Sequence, residues 1–280
     1  MKSLLIENLE DYHYEIIESV IVHYKTLTRQ DEDLEIYLVV IKNKSFEDYI
    51  KSKYKNIRFK TPTDVDFYIN CSIYTSNMEN IRKDSDTHFY IAHEVSEKLT
   101  PFKNVYFMTP LCKNERYIQA TVFPKNDDQA SMTQNMPIYI IQGNLTSERR
   151  YFNLLVDIFD HTFDFDFRVK FIGRGKLPLI LKKYKNRIIL KNNLNFMDYH
   201  AEFSNGYCII PLITKQSHPQ YYTHKFTSSI SYAKGYNLKC LIDRDLQNIY
   251  NLEHAEVYDT RHQFVESFGK TLSDFYETRN

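Results

Sequence analysis

The sequence lacks tryptophan and contains only six glycines, none of which precedes Gly143. Gly143 closes an apolar run that is predicted to be a buried strand, and Gly173 and Gly175 close a second run of the same kind. Glycine at the carboxyl end of a parallel strand lets the backbone approach a ligand and directs amide N–H groups towards it. The distribution of glycine therefore predicts a ligand crevice in the second half of the chain.

Cysteine is also scarce, and its pattern excludes a metal site of the Cys-x-x-Cys or Cys/His kind. No apolar run approaches the roughly 20 residues that span a bilayer. The first apolar run is too short, and is followed too soon by an acid, for a signal peptide. We therefore expect a soluble cytoplasmic protein with four reduced, buried thiols, those of Cys71, Cys112, Cys208 and Cys240.

Neither sign of charge is in excess, because the 36 basic and 36 acidic side chains give a formal net charge of zero. This balance argues against a general binder of nucleic acid or of anionic membranes, whose surface would be skewed towards basic residues. With 42% hydrophobic and 26% charged residues, the chain has the composition of a soluble globular protein. No feature of the sequence specifies an oligomer.

Short apolar runs alternate with amphipathic runs along the whole chain, which is typical of βα units around a parallel sheet. A polar stretch, 125–135, has the composition of a linker and separates two such series. We therefore predict an α/β protein with two Rossmann-like domains that face each other across a cleft. The first domain covers 1–135, the second covers 136–261, and a last amphipathic helix occupies 262–280.

Three segments of the second half offer candidate phosphate contacts. The run 142–150 is predicted to be a strand end, a glycine turn and the start of a helix over 147–159, whose first turn carries Arg149 and Arg150. Cations oppose the dipole at a helix N-terminus, so a bound diphosphate would explain them, whereas ordinary surface arginines are the alternative. The run 225–229 places Lys225 and three hydroxyl residues at the start of another helix, where they could bind phosphate or merely cap the helix.

The third segment, Gly173-Arg174-Gly175, suggests a tight turn that borders the same ligand. A third glycine at the spacing of a dinucleotide-binding fingerprint is missing, and no Gly-x-x-x-x-Gly-Lys motif occurs anywhere. NAD-binding and P-loop interpretations are therefore disfavoured.

Candidate acid-base residues follow predicted strands of the first half. His13 lies just beyond the first strand, where open α/β sheets place catalytic groups, and could act as a general base oriented by a nearby acid. His93 and Glu94 lie at the end of another strand, and Glu7 is close to His13 in the sequence. A capping or surface role is the alternative for each. Asp-x-Asp occurs five times, a repetition that favours solvated turns over one metal site: Asp31/Asp33, Asp64/Asp66, Asp84/Asp86, Asp164/Asp166 and Asp243/Asp245.

The second half resembles the donor-binding domain of GT-B glycosyltransferases in the order and spacing of these segments over 136–260. The chain also looks similar to compact glycosyltransferases of large DNA viruses, among them chlorovirus enzymes that build capsid glycans. The Glu-x₆-Glu pattern common in retaining members is absent from 218–229, which leaves retention or inversion open.

This resemblance implies transfer of a sugar from a nucleoside-diphosphate sugar, such as a UDP-sugar and in particular UDP-xylose, to a hydroxyl of a glycan acceptor. It implies a metal-independent reaction with no cofactor, an acceptor-binding first domain, and a last helix that crosses back to that domain. His13, or an acid such as Glu7 or Glu94, would take the acceptor proton. The implied donor-binding residues are Gly143, Asn144, Arg149, Arg150, Gly173, Arg174, Asn192, Leu194, Lys225, Thr227, Ser228 and Ser229.

Two alternatives remain open. A nucleotide-sugar epimerase would share the donor site, and a non-catalytic two-domain sugar-binding protein would share the architecture. A receptor of the second kind would normally carry an export signal, which we do not find at the start of the sequence.

Overall fold

A computed structural model describes residues 1–10, 13–40, 43–112, 116–122 and 135–279. The chain divides into two compact units. Unit 1 comprises Met1–Phe123 with Thr223–Phe226, and unit 2 comprises Pro124–Tyr222 with Thr227–Asn280. The predicted domain boundary at residue 135 lies beside the undescribed stretch 123–134. The short return of the chain to unit 1 at Thr223–Phe226 was not predicted.

Unit 1 is built on a six-stranded parallel sheet with the order β3-β2-β1-β4-β5-β6. Its strands are β1 Ser3–Asn8, β2 Glu35–Val40, β3 Ile57–Arg58, β4 Phe67–Ile73, β5 His88–Ala92 and β6 Val105–Phe107. Its helices are α1 Tyr14–Thr28, α2 Lys44–Lys53 and the 3₁₀ helix Met78–Asn80.

Alternation of side chains defines the core face of unit 1. Leu4 and Ile6 of β1 are fully buried, while Ser3, Leu5 and Glu7, which alternate with them, are half-buried. This is the two-residue period of a strand. Helix α1 covers this face with Ile16, Ile17 and Val20, which are also fully buried. The first strand and helix therefore form as the hydrophobic spacing predicts.

Unit 2 contains a second six-stranded parallel sheet, with the order β12-β11-β10-β7-β8-β9. Its strands are β7 Ile138–Asn144, β8 Arg168–Arg174, β9 Ile188–Asn192, β10 Cys208–Ile209, β11 Lys239–Asp243 and β12 Ala255–Tyr258. The helices are α3 Asn153–Asp160, α4 Phe196–Ala201, α5 Gln220–Thr223, α6 Ser228–Gly235, α7 Arg244–Tyr250, α8 Arg261–Glu277 and the 3₁₀ helix Leu179–Arg187.

Both sheets follow the same strand order. When the strands of each unit are counted from its own first strand, the order in both sheets is 3-2-1-4-5-6, and every strand pair is parallel. This order is that of the Rossmann fold. The prediction of an α/β chain with two Rossmann-like domains is confirmed.

Aromatic packing joins α8 to the sheet of unit 2. The Phe268 ring lies 4.2 Å from the Tyr139 ring, between centroids, and the Tyr139 hydroxyl lies 2.9 Å from Thr271 Oγ1. Thr260 and Gln263 form a capping box that fixes the start of α8. The last helix is thus well placed by the sequence, and its expected crossing to the first domain stays a prediction. No helix in the described ranges is long and apolar enough to cross a bilayer.

The predicted helix at 147–159 is wrong over its first two turns, because α3 begins only at Asn153. The amide groups of Arg149 and Arg150 both donate to the Thr146 carbonyl, at 3.0 and 2.9 Å, and close a turn. The next amide, of Tyr151, donates to the Leu212 carbonyl at 2.6 Å instead of continuing a helix. Arg149 and Arg150 therefore lie in a turn and not at a helix N-terminus.

Two further elements were missed, α7 and β12. Asp243 was interpreted as part of a solvated Asp-x-Asp turn, but its side chain accepts a hydrogen bond of 3.0 Å from the Asp245 amide and caps α7. The apolar run 207–213 predicts a single strand, but only Cys208–Ile209 forms one. Leu212, beyond this strand, has a positive φ of 52°.

Candidate functional site

The shared strand order defines one switch point in each unit, between β1 and β4 in unit 1 and between β7 and β10 in unit 2. In open α/β sheets, ligands bind outside the carboxyl ends of the strands at such a point, because the connecting loops diverge there to opposite faces. Both groups of predicted site residues follow strands at or beside these points.

In unit 1, His13 lies in the connection between β1 and α1, beside the switch point. It takes a left-handed conformation, with φ 62° and ψ 37°, immediately before α1. Its Nδ1 lies 3.3 Å from Oε1 of Glu15, which is buried. Left-handed backbone is uncommon for a residue other than glycine and concentrates at functional sites.

His93 lies against His13, with 4.1 Å between the ring centroids, and stacks on Tyr74 at 5.3 Å. Its Nε2 lies 2.8 Å from the carbonyl oxygen of Cys71, which can only accept, so Nε2 carries the proton. Burial, and secondarily the charge of His13, lower the pKa of His93 to about 3. The His93 ring is therefore neutral at pH 7.

Glu15 is the member of this cluster that sequence reasoning missed. Burial alone would raise its pKa, but the hydrogen bond and the positive charge of His13 outweigh burial and lower it. The carboxylate therefore stays ionised beside His13. Its position two residues after His13 was visible in the sequence, but it looked like an ordinary residue of an amphipathic helix.

The other two predicted acids of unit 1 have different surroundings. Glu7 accepts hydrogen bonds from the Tyr68 hydroxyl and, at 3.5 Å, from Asn70. Glu94 forms an ion pair of 2.8 Å with Lys225, so the charge of Lys225 is already met by a carboxylate. The assignment of Lys225 to the donor stays a prediction.

In unit 2 the predicted glycines are required by close approach of the backbone. A Cβ on Gly173 would lie 1.9 Å from the Gly143 carbonyl oxygen on the neighbouring strand. A Cβ on Gly143 would lie 2.7 Å from Nη2 of Arg150, and Gly143 has a φ of 107°. The end of β7 is thus pressed between the end of β8 and the Arg150 guanidinium.

Arg150 is the most unusual side chain of this edge, because it is 5% exposed and carries a charge that no acid among the described residues pairs with. It donates to the carbonyl oxygens of Arg149, at 2.7 Å, and Gln142. No carboxylate of the described chain lies within ion-pair distance of it, and its Nε lacks a hydrogen-bond partner there. Burial is the main cause that lowers its pKa. Buried charges in proteins are as a rule paired, which makes this guanidinium a candidate contact for a bound anion.

Gln142 connects this edge to α6. Its Nε2 donates to the Tyr199 hydroxyl at 2.8 Å, and its Oε1 accepts from Ser229 at 3.2 Å and from Ser228 at 3.4 Å. Thr227 precedes the helix and is buried, and its side chain accepts no hydrogen bond from the helix amides. Ser228 and Ser229 are therefore held beside the end of β7, and their binding of phosphate stays a prediction.

Two side chains of this edge that carry buried polar atoms, those of Thr146 and His218, were not predicted as site residues. Thr146 Oγ1 lacks a hydrogen-bond partner among the residues that the structure describes. His218 is buried beside Arg150, and burial, followed by the charge of Arg150, lowers its pKa. His218 stands in a polar loop with a proline after it, so nothing in the sequence separated it from a surface histidine.

The remaining predicted donor residues lie at the rim of this sheet. Asn144, Arg149 and Arg174 are exposed, and Arg149 Nη1 lies 3.4 Å from the Tyr221 hydroxyl. Asn192 donates to the Gly175 carbonyl at 3.1 Å, and Leu194 is half-buried on the loop after β9. Within the described residues, no three His, Cys, Asp or Glu side chains converge as a metal site.

Comparisons with known proteins identify the fold. No family model and no curated protein matches the chain. A glycosyltransferase from Rickettsia africae ESF-5 has a TM-score of 0.59 and 10% identity, covering 97% of this chain and 88% of its own. AviGT4, a glycosyltransferase involved in avilamycin A biosynthesis, has a TM-score of 0.57 and 9% identity over 98% and 92% of the two chains.

A third solved structure with this fold is the UDP-GlcNAc 2-epimerase from Methanocaldococcus jannaschii. Its TM-score is 0.52 and its identity 8%, over 97% of this chain and 93% of the epimerase. The chain therefore has the two-Rossmann-domain fold that these GT-B glycosyltransferases and this epimerase share.

Proposed function

We propose that the chain is a glycosyltransferase that moves a sugar from a nucleoside-diphosphate sugar to a hydroxyl of a glycan acceptor. The observation that carries the proposal is Arg150 at the switch point of unit 2, a buried guanidinium that has no carboxylate partner in the part of the chain that the structure describes. Unpaired buried charge is costly, and a diphosphate is the ligand class that would supply the missing anion there.

The groups around Arg150 suit a diphosphate. Thr146 Oγ1 can donate a hydrogen bond, and the hydroxyls of Ser228 and Ser229 stand at the start of α6, where helix amides also favour an anion. During transfer, negative charge develops on the leaving nucleoside diphosphate. Fixed positive charge at Arg150 would stabilise that charge in the transition state without a metal ion.

The acid-base step is assigned to His13. Glu15 would hold Nδ1 protonated, which leaves Nε2 of His13 to accept the proton of the acceptor hydroxyl. The neutral ring of His93 adds no positive charge that would oppose protonation of His13. In this assignment unit 1 binds the acceptor and unit 2 binds the donor.

The donor site is tested by thermal unfolding with a panel of UDP, GDP and dTDP. A ligand that binds only the folded state stabilises it by about 2.7 kcal/mol at 100 times its Kd. We expect UDP to raise Tm, and Arg150→Gln to weaken UDP binding by tenfold or more, since hydrogen bonds to charged groups contribute roughly 1.5–3 kcal/mol.

The matched control is Arg168→Gln, because Arg168 is an exposed arginine at the opposite, amino end of β8. This variant should keep the full UDP-induced shift. No shift with any of the three nucleotides would contradict the proposed donor site. UDP-xylose, suggested by the resemblance to viral capsid-glycan enzymes, belongs in the panel of donor sugars.

A nucleotide-sugar epimerase is the second candidate, and the similarity to the M. jannaschii epimerase favours it. The two activities differ in their products. A glycosyltransferase releases UDP in proportion to added acceptor, whereas an epimerase converts one UDP-sugar into its isomer without net release of UDP. Chromatography of the reaction separates these results. Donor binding with neither product would instead support a non-catalytic sugar-binding protein.

A further inference from the structure

One segment of unit 2 concentrates positive charge in a chain whose net charge is zero. Between Arg174 and Lys191 the sequence contains seven basic residues and no acid. The centre of this segment is the 3₁₀ helix Leu179–Arg187, which follows β8 and precedes β9. A balanced overall charge does not exclude such a local cluster, because net charge averages over the whole surface.

The 3₁₀ helix contacts the rest of unit 2 through three residues spaced three apart. Residues three apart share a side of a 3₁₀ helix, and in this one a kink at Tyr184, with φ −102° and ψ 16°, separates two shorter pieces. Leu181 is fully buried, the Tyr184 ring stacks on Phe159 at 4.7 Å, and the Arg187 guanidinium lies 5.3 Å from the centre of the Phe167 ring. This side anchors the helix to unit 2.

The outward sides begin with aliphatic residues and continue with lysines. Leu179 is 77% exposed and Ile180 is 47% exposed. Lys182 follows Leu179 on one side and Lys185 lies beyond the kink, and both lysines are exposed without an ion pair in the described part of the chain. Lys183, on the other side, pairs with Asp160 at 3.1 Å. Two exposed aliphatic side chains thus lie beside unpaired cations.

We propose that this surface, Leu179, Ile180, Lys182 and Lys185, binds the surface of an anionic lipid bilayer. Leu179 and Ile180 would enter the boundary between headgroups and acyl chains, and the two lysines would lie against anionic headgroups. Arg174 and Lys176, exposed at the start of the segment, add positive charge. The attachment is peripheral and involves no spanning helix.

The alternative occupant of a basic surface is single-stranded RNA, and the side chains favour lipid over RNA. Proteins bind single strands by stacking bases on exposed aromatic rings beside the cations. The aromatic ring of this helix, Tyr184, is already stacked on Phe159, and its hydroxyl binds Asp160. The exposed apolar groups are aliphatic, which suits insertion into lipid.

The test is co-sedimentation of the full chain with two kinds of vesicle, phosphatidylcholine alone and phosphatidylcholine with about 30% phosphatidylserine. We expect binding to the anionic vesicles, weakened as NaCl rises from about 0.1 to 0.5 M. Lys182→Ala/Lys185→Ala should lower the partition coefficient by roughly 25-fold, since each lysine near an anionic leaflet contributes about a factor of five. Equal binding to both kinds of vesicle, or to neither, would overturn the proposal.

The matched control is Lys98→Ala/Lys103→Ala, which removes the same charge from two exposed lysines of unit 1 without ion pairs in the described residues. It should bind anionic vesicles as wild type does. An equal loss in this control would show that net charge, and not this surface, governs binding. Unchanged Tm in both double variants confirms that they are folded.

Insertion is tested with Leu179→Cys labelled with a polarity-sensitive dye, because all four native cysteines are buried. Anionic vesicles should shift the emission to the blue, and the same dye at Lys98→Cys should not respond. Fluorescence anisotropy with an unstructured RNA provides the competing result. Tighter binding to RNA than to vesicles, with no blue shift at position 179, would overturn the membrane assignment.

Discussion

The switch points of the two units have the same strand order and differ in what stands at the strand ends. In unit 1 the described residues at this edge include no glycine. His13 contacts both Glu15 and His93 there. In unit 2 glycines end β7 and β8, their backbones approach closely, and the buried Arg150 guanidinium fills the adjoining space.

This difference separates two kinds of chemistry on one topology. An edge filled with interacting titratable side chains can hold a proton at a defined nitrogen. An edge of closely packed glycine backbone, with a buried cation that no acid among the described residues pairs with, can hold an anion. An amide side chain makes a contact at each switch point: Asn8 of β1 binds Ser72 of β4 in unit 1, and Gln142 of β7 binds Ser229 of α6 in unit 2. The scaffold is repeated, and the side chains at its edge are not.

The largest expected effect comes from His13→Ala, in the edge assigned to proton transfer. General base catalysis contributes typically about 10²–10⁴-fold, so turnover with a UDP-sugar donor should fall by that factor. The UDP-induced rise in Tm should stay near wild type, because donor binding is assigned to unit 2. The control His262→Ala removes an exposed histidine of α8 and should keep full turnover. Full activity of His13→Ala would move the base to Glu7, His93 or Glu94.

The second prediction compares two glycines of the edge in unit 2. Gly173→Ala places a methyl group against the Gly143 carbonyl, which cannot move without the strand, and should cost about 3 kcal/mol of stability. Gly143→Ala meets only the tip of the Arg150 side chain and should cost less, about 1–2 kcal/mol.

The two glycine variants should therefore separate stability from binding. Gly143→Ala displaces the guanidinium and should lose most of the UDP-induced shift in Tm. Urea unfolding and thermal shift measure the two effects. If Gly143→Ala keeps the full shift, the Arg150 guanidinium does not bind the nucleotide.

The third prediction uses the lowered pKa of His93 in unit 1. The unfolded histidine binds a proton near pH 6.5 and the folded one only near pH 3, so stability falls as pH decreases from 6.5 towards 3. Between pH 7 and 5 the loss is about 2 kcal/mol. His93→Phe keeps a stacked ring and should remove this part of the pH dependence, whereas His262→Phe should not. Equal slopes in wild type and His93→Phe would contradict a neutral, buried His93.

The smallest expected effect is that of metal removal. We assign Arg150 and the hydroxyls around it to the leaving diphosphate, as fixed charge and hydrogen-bond donors, so turnover should stay unchanged in EDTA. Strict dependence on Mg²⁺ or Mn²⁺ would instead assign the phosphate charge to a metal, and one of the Asp-x-Asp pairs would become the first candidate ligand.

The periodicity of the sequence predicts the fold because each βα unit carries its own pattern of burial. The prediction fails where a long-range hydrogen bond determines the local structure. The Tyr151 amide donates to the Leu212 carbonyl, so the helix predicted to begin at Ser147 begins six residues later. The short strand β10 shows the same limit, since an apolar run does not reveal how many of its residues find a partner strand.

The site was predicted residue by residue but not as an arrangement. His13 and His93 are far apart in the sequence, and only the order of β1, β4 and β5 brings their rings together. Arg150 was expected at an exposed helix start, and its burial depends on the turn at Thr146. The net charge of zero likewise did not reveal the basic surface of the 3₁₀ helix, because net charge does not show where along the chain the charged residues lie.

Unit 1 consists of two separate stretches of the sequence, because Thr223–Phe226 belongs to it. The coding sequence of unit 1 is therefore also in two pieces. The His224 carbonyl accepts a hydrogen bond of 2.9 Å from the Val95 amide, and Lys225 pairs with Glu94, so this short piece completes the end of β5. A recombination event that replaced the sequence after Phe123 would also replace Thr223–Phe226, which belongs to unit 1. The two halves are therefore linked: a transplanted second half keeps this ion pair of unit 1 only if it brings a cation that pairs with Glu94.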